Sequence, residues 1–188
     1  MKNKVIYYQK SLLKNKRVLN KIKTGSIFIY PTDTIYGIGC SALNKKSIEK
    51  IREIKGRNKK PFSIIVPNKK WIKDHCKVQN KWLKKLPGKF TLIIKLKTKD
   101  LPKNISFGDT LGVRIPKHWI SKLVKKLKIP IITTSVNKAD KKYMTNLKDL
   151  DKGIAKKAEF ILFGGPLNKR PSTIIDTIHN KIIKRCQK

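Results

Sequence analysis

The sequence predicts an α/β protein, with helices packed on a largely continuous mixed sheet. Three observations point there. Short apolar blocks rich in β-branched residues recur along the chain: SIFIY, FSIIV, TLIIKL, IPIITT and FILF. Segments with apolar residues at helical spacing alternate with them, a pattern that packs helices on a sheet. Some blocks follow each other through connections too short for a helical crossover, so parallel and antiparallel pairs must mix.

Taken in order, Val5–Tyr8 reads as an edge strand. Residues 9–23 place apolar side chains at 12, 13, 18, 19 and 22, a helical spacing that Gly25 can end. A short strand follows at 27–30. Residues 44–55 read as a helix with Ile48, Ile51 and Ile54 on one face and Asn44 as N-cap. Residues 62–66 form a strand closed by Pro67. Residues 69–86 are helical in two pieces, and Trp71 and Trp82 there read as core residues. Beyond Pro87-Gly88 come strands at 91–96 and 112–115, the second stopped by Pro116. A helix at 118–127, a strand at 131–134, a helix at 147–158, a strand at 160–163 and a hairpin of 173–176 with 181–184 complete the chain.

A length of 188 residues fits one domain spanning 1–188. No apolar run approaches the ~20 residues that span a bilayer, and the N-terminus MKNKVIYYQK has no apolar core of a secretory signal. The expectation is a cytoplasmic protein without a membrane partner. Cys40, Cys76 and Cys186 are far apart, with no CxxC pair and no histidine pair at helical spacing. That pattern argues against a zinc site and for a reducing compartment.

The chain carries 47 basic and 11 acidic residues, a net charge of +36. Such a field attracts polyanions, and tRNA or double-stranded RNA is the expected partner. Lysines spread over the whole chain, together with many Ile and Asn, also fit a composition set by A/T-rich codons. Only six of the 47 basic residues are arginine: 17, 52, 57, 114, 170 and 185. Arginine offers a planar five-donor fork where lysine is a point charge. In so lysine-rich a chain, Arg57, Arg114 and Arg185 mark places that call for the fork.

The sequence contains no GxxxxGK[ST], no GxGxxG and no GxSxG. These absences argue against a P-loop, a dinucleotide fingerprint and a serine nucleophile elbow. Sites in open α/β sheets gather in loops at strand ends. The loops richest in Gly, Thr, Ser and Arg are 31–41, 55–61, 108–114, 133–145 and 164–172, and these five are expected to converge on one pocket. Asp33 is the first acidic residue after thirty-two without one. It is expected to brace its own turn through backbone N–H groups; the alternative is that it balances a cationic pocket or steers the ammonium of an amino acid.

In order along the chain stand PTDTIYGIG, KGR…KPFSIIV, LPGKFTLII, GVRIP, TTSVN and PSTIID. This set resembles the YrdC-like family, the threonylcarbamoyl-AMP synthases of the TsaC type, over roughly residues 20–185. The family's K-x-R and S-x-N signatures appear as Lys55-Gly56-Arg57 and Ser135-Val136-Asn137. The resemblance implies an open twisted mixed sheet with flanking helices, in a short form without the extra C-terminal domain of some relatives. It implies that L-threonine and bicarbonate give a carbamate, which attacks the α-phosphate of ATP. Threonylcarbamoyl-AMP and pyrophosphate result, and a downstream transferase uses the former to modify A37 of tRNA.

The resemblance also implies residue roles. Lys55 and Arg57 would be catalytic. Arg57, Lys60, Thr110, Asn137, Thr145 and Arg185 would bind ATP. Thr34, Arg114, Ser135 and Ser172 would bind threonine, with Arg114 gripping the carboxylate in bidentate fashion. No tightly bound cofactor and no resident metal is implied; Mg²⁺ would arrive with ATP. Many relatives carry a histidine on the threonine side where Ile65 stands, and Asn58-Lys59 makes a shorter spacer. After Asn137 comes Lys-Ala-Asp in place of Ser-Gly, and the tail IIKRCQK replaces Arg-Pro-Gly. The alternatives are a sibling carbamoyl-adenylating enzyme and a non-catalytic YrdC-like RNA-binding protein.

Overall fold

The structure, a computed structural model, describes residues 5–8, 13–56, 60–98, 100–106, 108–138 and 141–185. Eleven strands are described: β1 Val5–Tyr8, β2 Phe28–Tyr30, β3 Gly37–Gly39, β4 Ser63–Ile65, β5 Cys76–Lys77, β6 Phe90–Leu96, β7 Thr110–Arg114, β8 Ile131–Ser135, β9 Phe160–Phe163, β10 Thr173–Asp176 and β11 Lys181–Ile183. They form one mixed sheet in the order β1-β9-β2-β3-β8-β4-β7-β6-β10-β11, with β5 beside β6. The α/β class and the mixed pairing match the expectation from sequence: β4–β7 and β6–β10 are parallel, while β3–β8 and β6–β7 are antiparallel.

The helices are α1 Lys16–Lys23, α2 Lys45–Lys55, α3 Lys69–His75, α4 Asn80–Leu83, α5 Trp119–Leu127 and α6 Lys152–Lys157. Side-chain caps set several of their starts. The Asn15 side chain accepts from the Val18 N–H at 3.1 Å, so α1 begins at Lys16; residues 9–12 of the expected helix lie outside the described set. Asn44 caps α2 through the Ser47 N–H at 3.0 Å, and left-handed Gly56 (φ 59°) ends it. The expected helix 147–158 is broken in two. Asp149 turns back to cap a 3₁₀ turn, Leu147–Asp149, and Asp151 then caps α6.

Two strands were absent from the sequence reading. β5 has only two residues. β3 is the GIG of PTDTIYGIG, expected as loop because glycine disfavours strands. The fold needs glycine there: a Cβ on Gly39 would collide with the Ile132 carbonyl oxygen. The Tyr30 ring lies within 3.3 Å of where a Cβ on Gly37 would sit, and its hydroxyl donates to that same Ile132 carbonyl at 2.8 Å. The two glycines thus let a buried tyrosine lie across β3.

Strand alternation sorts the side chains. On one face, Ile29, Ile64, Leu92, Ile94, Val113, Ile132 and Ile175 enter the large apolar core with α2 residues Ile48, Ile51 and Ile54. Trp71 and Trp82 pack against this core half-buried, as the sequence suggested. On the other face, Phe28, Tyr30, Ile65 and Ile131 form a second core under Val18 and Ile22 of α1 and Ile120, Leu123, Val124 and Leu127 of α5. Farther along that face the same strands carry Ser63, Thr91, Thr110, Gly112, Arg114 and Thr133, which line a cavity.

Candidate active site

The cavity has a volume of about 360 Å³. Each of the five expected loops contributes to it: Thr32, Ile35, Tyr36 and Gly37; Lys60 and Pro61; Thr110, Gly112 and Arg114; Thr133, Thr134 and Ser135; and Ser172. Of the residues singled out from sequence, Lys60, Thr110, Arg114, Ser135, Ser172 and Arg185 line it. Arg57 lies outside the described residues.

Arg114 ends β7 with a side chain only 7% exposed. Burial pushes its guanidinium below the usual arginine range, and the Asp33 carboxylate opposes that shift. Nη2 donates to Asp33 Oδ1 at 3.0 Å and to Thr34 Oγ1 at 3.2 Å. Nε is buried without a partner. With Nη2 engaged, Nη1 carries the donors left for a ligand. The bidentate grip expected of Arg114 is therefore changed: half of the fork holds the protein's own loop.

The role expected of Asp33 also changes. It does not brace its own turn. Its Oδ2 accepts the backbone N–H of Lys117 at 2.8 Å, three residues beyond Arg114. The turn is braced instead by Thr32, whose hydroxyl meets the Ile35 carbonyl at 2.7 Å and Thr34 Oγ1 at 2.9 Å. Donor counting gives the network a direction. Thr32 has one O–H and spends it on the Ile35 carbonyl, so Thr34 donates to Thr32 and accepts from Arg114. Thr34, singled out from sequence for the amino acid, is itself buried behind Thr32 and is not among the residues that line the cavity.

The K-x-R and S-x-N signatures are clasped together. Lys55, at the end of α2, is fully buried and does not line the cavity. Its Nζ donates to the Ser135 carbonyl at 2.6 Å, to Asn137 Oδ1 at 2.7 Å and to the Asn137 carbonyl. Ser135 Oγ donates to Asn137 Oδ1 at 2.6 Å, and Asn137 Nδ2 to the Lys141 carbonyl. In this arrangement Lys55 and Asn137 shape the loop after β8 and leave Ser135 at the cavity wall. Lys55, expected to be catalytic, thus stands off the cavity with its ammonium on this loop. Thr145 likewise lies off the cavity, with its hydroxyl and amide on Asp149 Oδ2.

On the cavity wall beside β6 and β10, Arg185 donates from Nε to the Ser172 carbonyl at 2.9 Å and from Nη2 to Ser172 Oγ at 2.6 Å. Ser172 Oγ also meets Thr91 Oγ1 at 2.7 Å. Lys60 stands at the β4 entrance, and Arg52 holds that entrance in place. Arg52 donates to the carbonyls of Lys60 at 2.9 Å and Asn104 at 3.0 Å, with its guanidinium 4.5 Å over the Phe62 ring. Arg52 was missed because it sits mid-helix, where arginine usually points to solvent. Thr91 and Ser63 were missed too; their signal was the polar position inside otherwise apolar strands. Ile65 is fully buried in the second core and does not line the cavity.

The family model Sua5/YciO/YrdC, described as Telomere recombination, matches residues 20–186. The chain belongs to this family. A Methanocaldococcus jannaschii protein provisionally named a threonylcarbamoyl-AMP synthase is 38% identical, over 97% of this chain and 92% of its own. The Pyrococcus abyssi threonylcarbamoyl-AMP synthase is 32% identical over 82% of this chain and 48% of its own. The crystal structure of P. abyssi Sua5 complexed with L-threonine superimposes with a TM-score of 0.80 and 28% identity, covering 95% of this chain and 55% of that one. The chain thus spans about half the length of the P. abyssi protein.

Two outcomes are expected. Lys55→Met removes the buried donor from three acceptors and should cost about 3 kcal/mol of stability, with faster amide exchange at Val136 and Asn137. His118 caps α5, its Nδ1 accepting the Ile120 N–H at 3.4 Å, and burial pushes its pKa down from 6.5 to about 4. Between those values the unfolded chain binds the extra proton, so stability is full above pH 6.5 and falls as pH drops towards 4. The loss is under ~1.4 kcal/mol per pH unit, because the ring is partly solvated. Urea midpoints at pH 7 and pH 5 should show it, and His118→Asn, which keeps a cap, should flatten it.

Proposed function

We propose that this protein is an L-threonylcarbamoyladenylate synthase, making threonylcarbamoyl-AMP and pyrophosphate from L-threonine, bicarbonate and ATP. The observation that carries the reading is a cavity whose wall brings together a buried, half-engaged arginine, Arg114, with Ser135, Ser172, Lys60 and Arg185. A carboxylate suits Nη1 of Arg114, and the Ser135 and Ser172 hydroxyls on the same wall suit the other polar groups of an amino acid. The threonine-bound P. abyssi Sua5, similar over most of this chain, supports the same substrate.

The chemistry asks for positioning and charge neutralisation more than for a covalent nucleophile. Lys60 and Arg185, with Arg57 of the K-x-R signature, would face the triphosphate and offset the charge that develops as pyrophosphate leaves. Lys55 and Asn137 would hold the loop that presents Ser135. ATP enters as a substrate. Mg²⁺ would come with it and add charge neutralisation at the phosphates. No group of three or more His, Cys, Asp or Glu among the described residues could hold a metal ion.

The product would pass to a separate transferase for t6A formation at position 37 of tRNA, in the cytoplasm. Among the described residues, no helix is long and apolar enough to cross a membrane. The net charge of +36 favours contact with tRNA along the way. The test is pyrophosphate release from ATP with bicarbonate, comparing L-threonine, L-serine and no amino acid. Threonine should drive release at least about tenfold better than serine, the discrimination one methyl group can supply. No threonine-dependent release from folded, ATP-binding protein would sink the reading.

A further inference from the structure

Asp33 carries a function that the substrate reading leaves open. It is 5% exposed, in a chain so short of acid that each buried carboxylate stands out. Each of its oxygens has one partner, and the two partners flank Ile115 and Pro116: Arg114 Nη2 on Oδ1 and the Lys117 N–H on Oδ2. The carboxylate therefore ties the end of β7 to the turn that follows it, and both to the Thr32–Thr34 loop. Thr34 Oγ1 completes the hold on Nη2.

We propose that Asp33 is a positioning residue for the amino acid substrate: it fixes the rotation of the Arg114 guanidinium so that Nη1 is presented to the substrate carboxylate. Three facts support a geometric role over simple charge balance. Asp33 binds one nitrogen of the fork rather than two, which leaves Nη1 unengaged. Its second oxygen is spent on a backbone N–H, which locks the carboxylate plane. The hydroxyl relay through Thr34 and Thr32 runs in one direction only while Nη2 stays in place. A rotated guanidinium would lose Thr34 and move the donors away from the ligand. The proposal rests on the reading that Arg114 meets the threonine carboxylate.

The test uses the full chain and steady-state pyrophosphate release, with L-threonine binding by calorimetry as a second readout. Asp33→Glu keeps the charge and the ion pair but lengthens the arm by one methylene. Asp33→Asn keeps the shape and removes the charge. Positioning predicts that both raise the threonine KM and Kd at least about tenfold, while the ATP KM stays within about twofold. It predicts that the preference for L-threonine over L-threoninamide shrinks. It predicts that adding Asp33→Glu to Arg114→Lys changes threonine Kd no further, since Asp33 acts through Arg114. Near-normal threonine KM in Asp33→Glu would overturn the proposal and leave charge balance. Parallel rises in both KM values would overturn it as a general loss of structure. Wild-type protein that neither binds nor turns over threonine would instead sink the substrate reading itself, a separate outcome.

Discussion

A sheet whose one face is buried along most of its strands can build a pocket only on the other face. That constraint organises this molecule. Ile29, Ile64, Leu92, Val113 and Ile132 commit one set of alternating positions to the main core, so their neighbours must face the opposite side. Helices α1 and α5 cover part of that side and make the second core. What they leave uncovered is lined by Ser63, Thr91, Thr110, Arg114 and Thr133. Site and core are thus two halves of one register, and a one-residue slip in any of these strands would exchange them.

The same constraint explains the buried charges. Arg114 takes the last β7 position on the pocket face and so arrives beneath the Thr32–Thr34 loop, out of water. A desolvated guanidinium requires an acceptor, and the chain places its first carboxylate there. Breaking such a pair leaves an uncompensated buried charge, which typically costs about 3–5 kcal/mol. Lys55 meets the same problem by a different route: its ammonium is solvated by Ser135 and Asn137 oxygens in place of water. Both solutions tie a signature motif to a loop distant in sequence, which is how surroundings so basic keep fixed geometry.

Much of this was legible in the sequence. The apolar blocks marked all but two strands, because β-branched runs bounded by Pro and Gly have few other uses. The five hydroxyl- and glycine-rich loops did converge. The ordered motifs pointed to the family, and Arg114 and Arg185 reached the cavity as the scarcity of arginine suggested. What was not legible depended on contacts across the chain. Glycines hid β3, since the reason for them is a tyrosine from β2 and a carbonyl from β8. The partner of Asp33 stands eighty-one residues away. The inward turn of Lys55, and Ile65 belonging to the core rather than the pocket, follow from register and helix placement, which no local pattern encodes. The break at Asp149 was hidden because a capping side chain is also an acceptable helix residue.

In the proposed reading the Arg114 fork anchors the amino acid by its carboxylate. Calorimetric titration of L-threonine into the wild-type protein and into Arg114→Lys tests it most directly, because lysine keeps the charge and loses the fork. Threonine affinity should fall at least about tenfold while ATP affinity stays unchanged. Equal threonine affinity in the two proteins would contradict it and place the carboxylate elsewhere in the cavity.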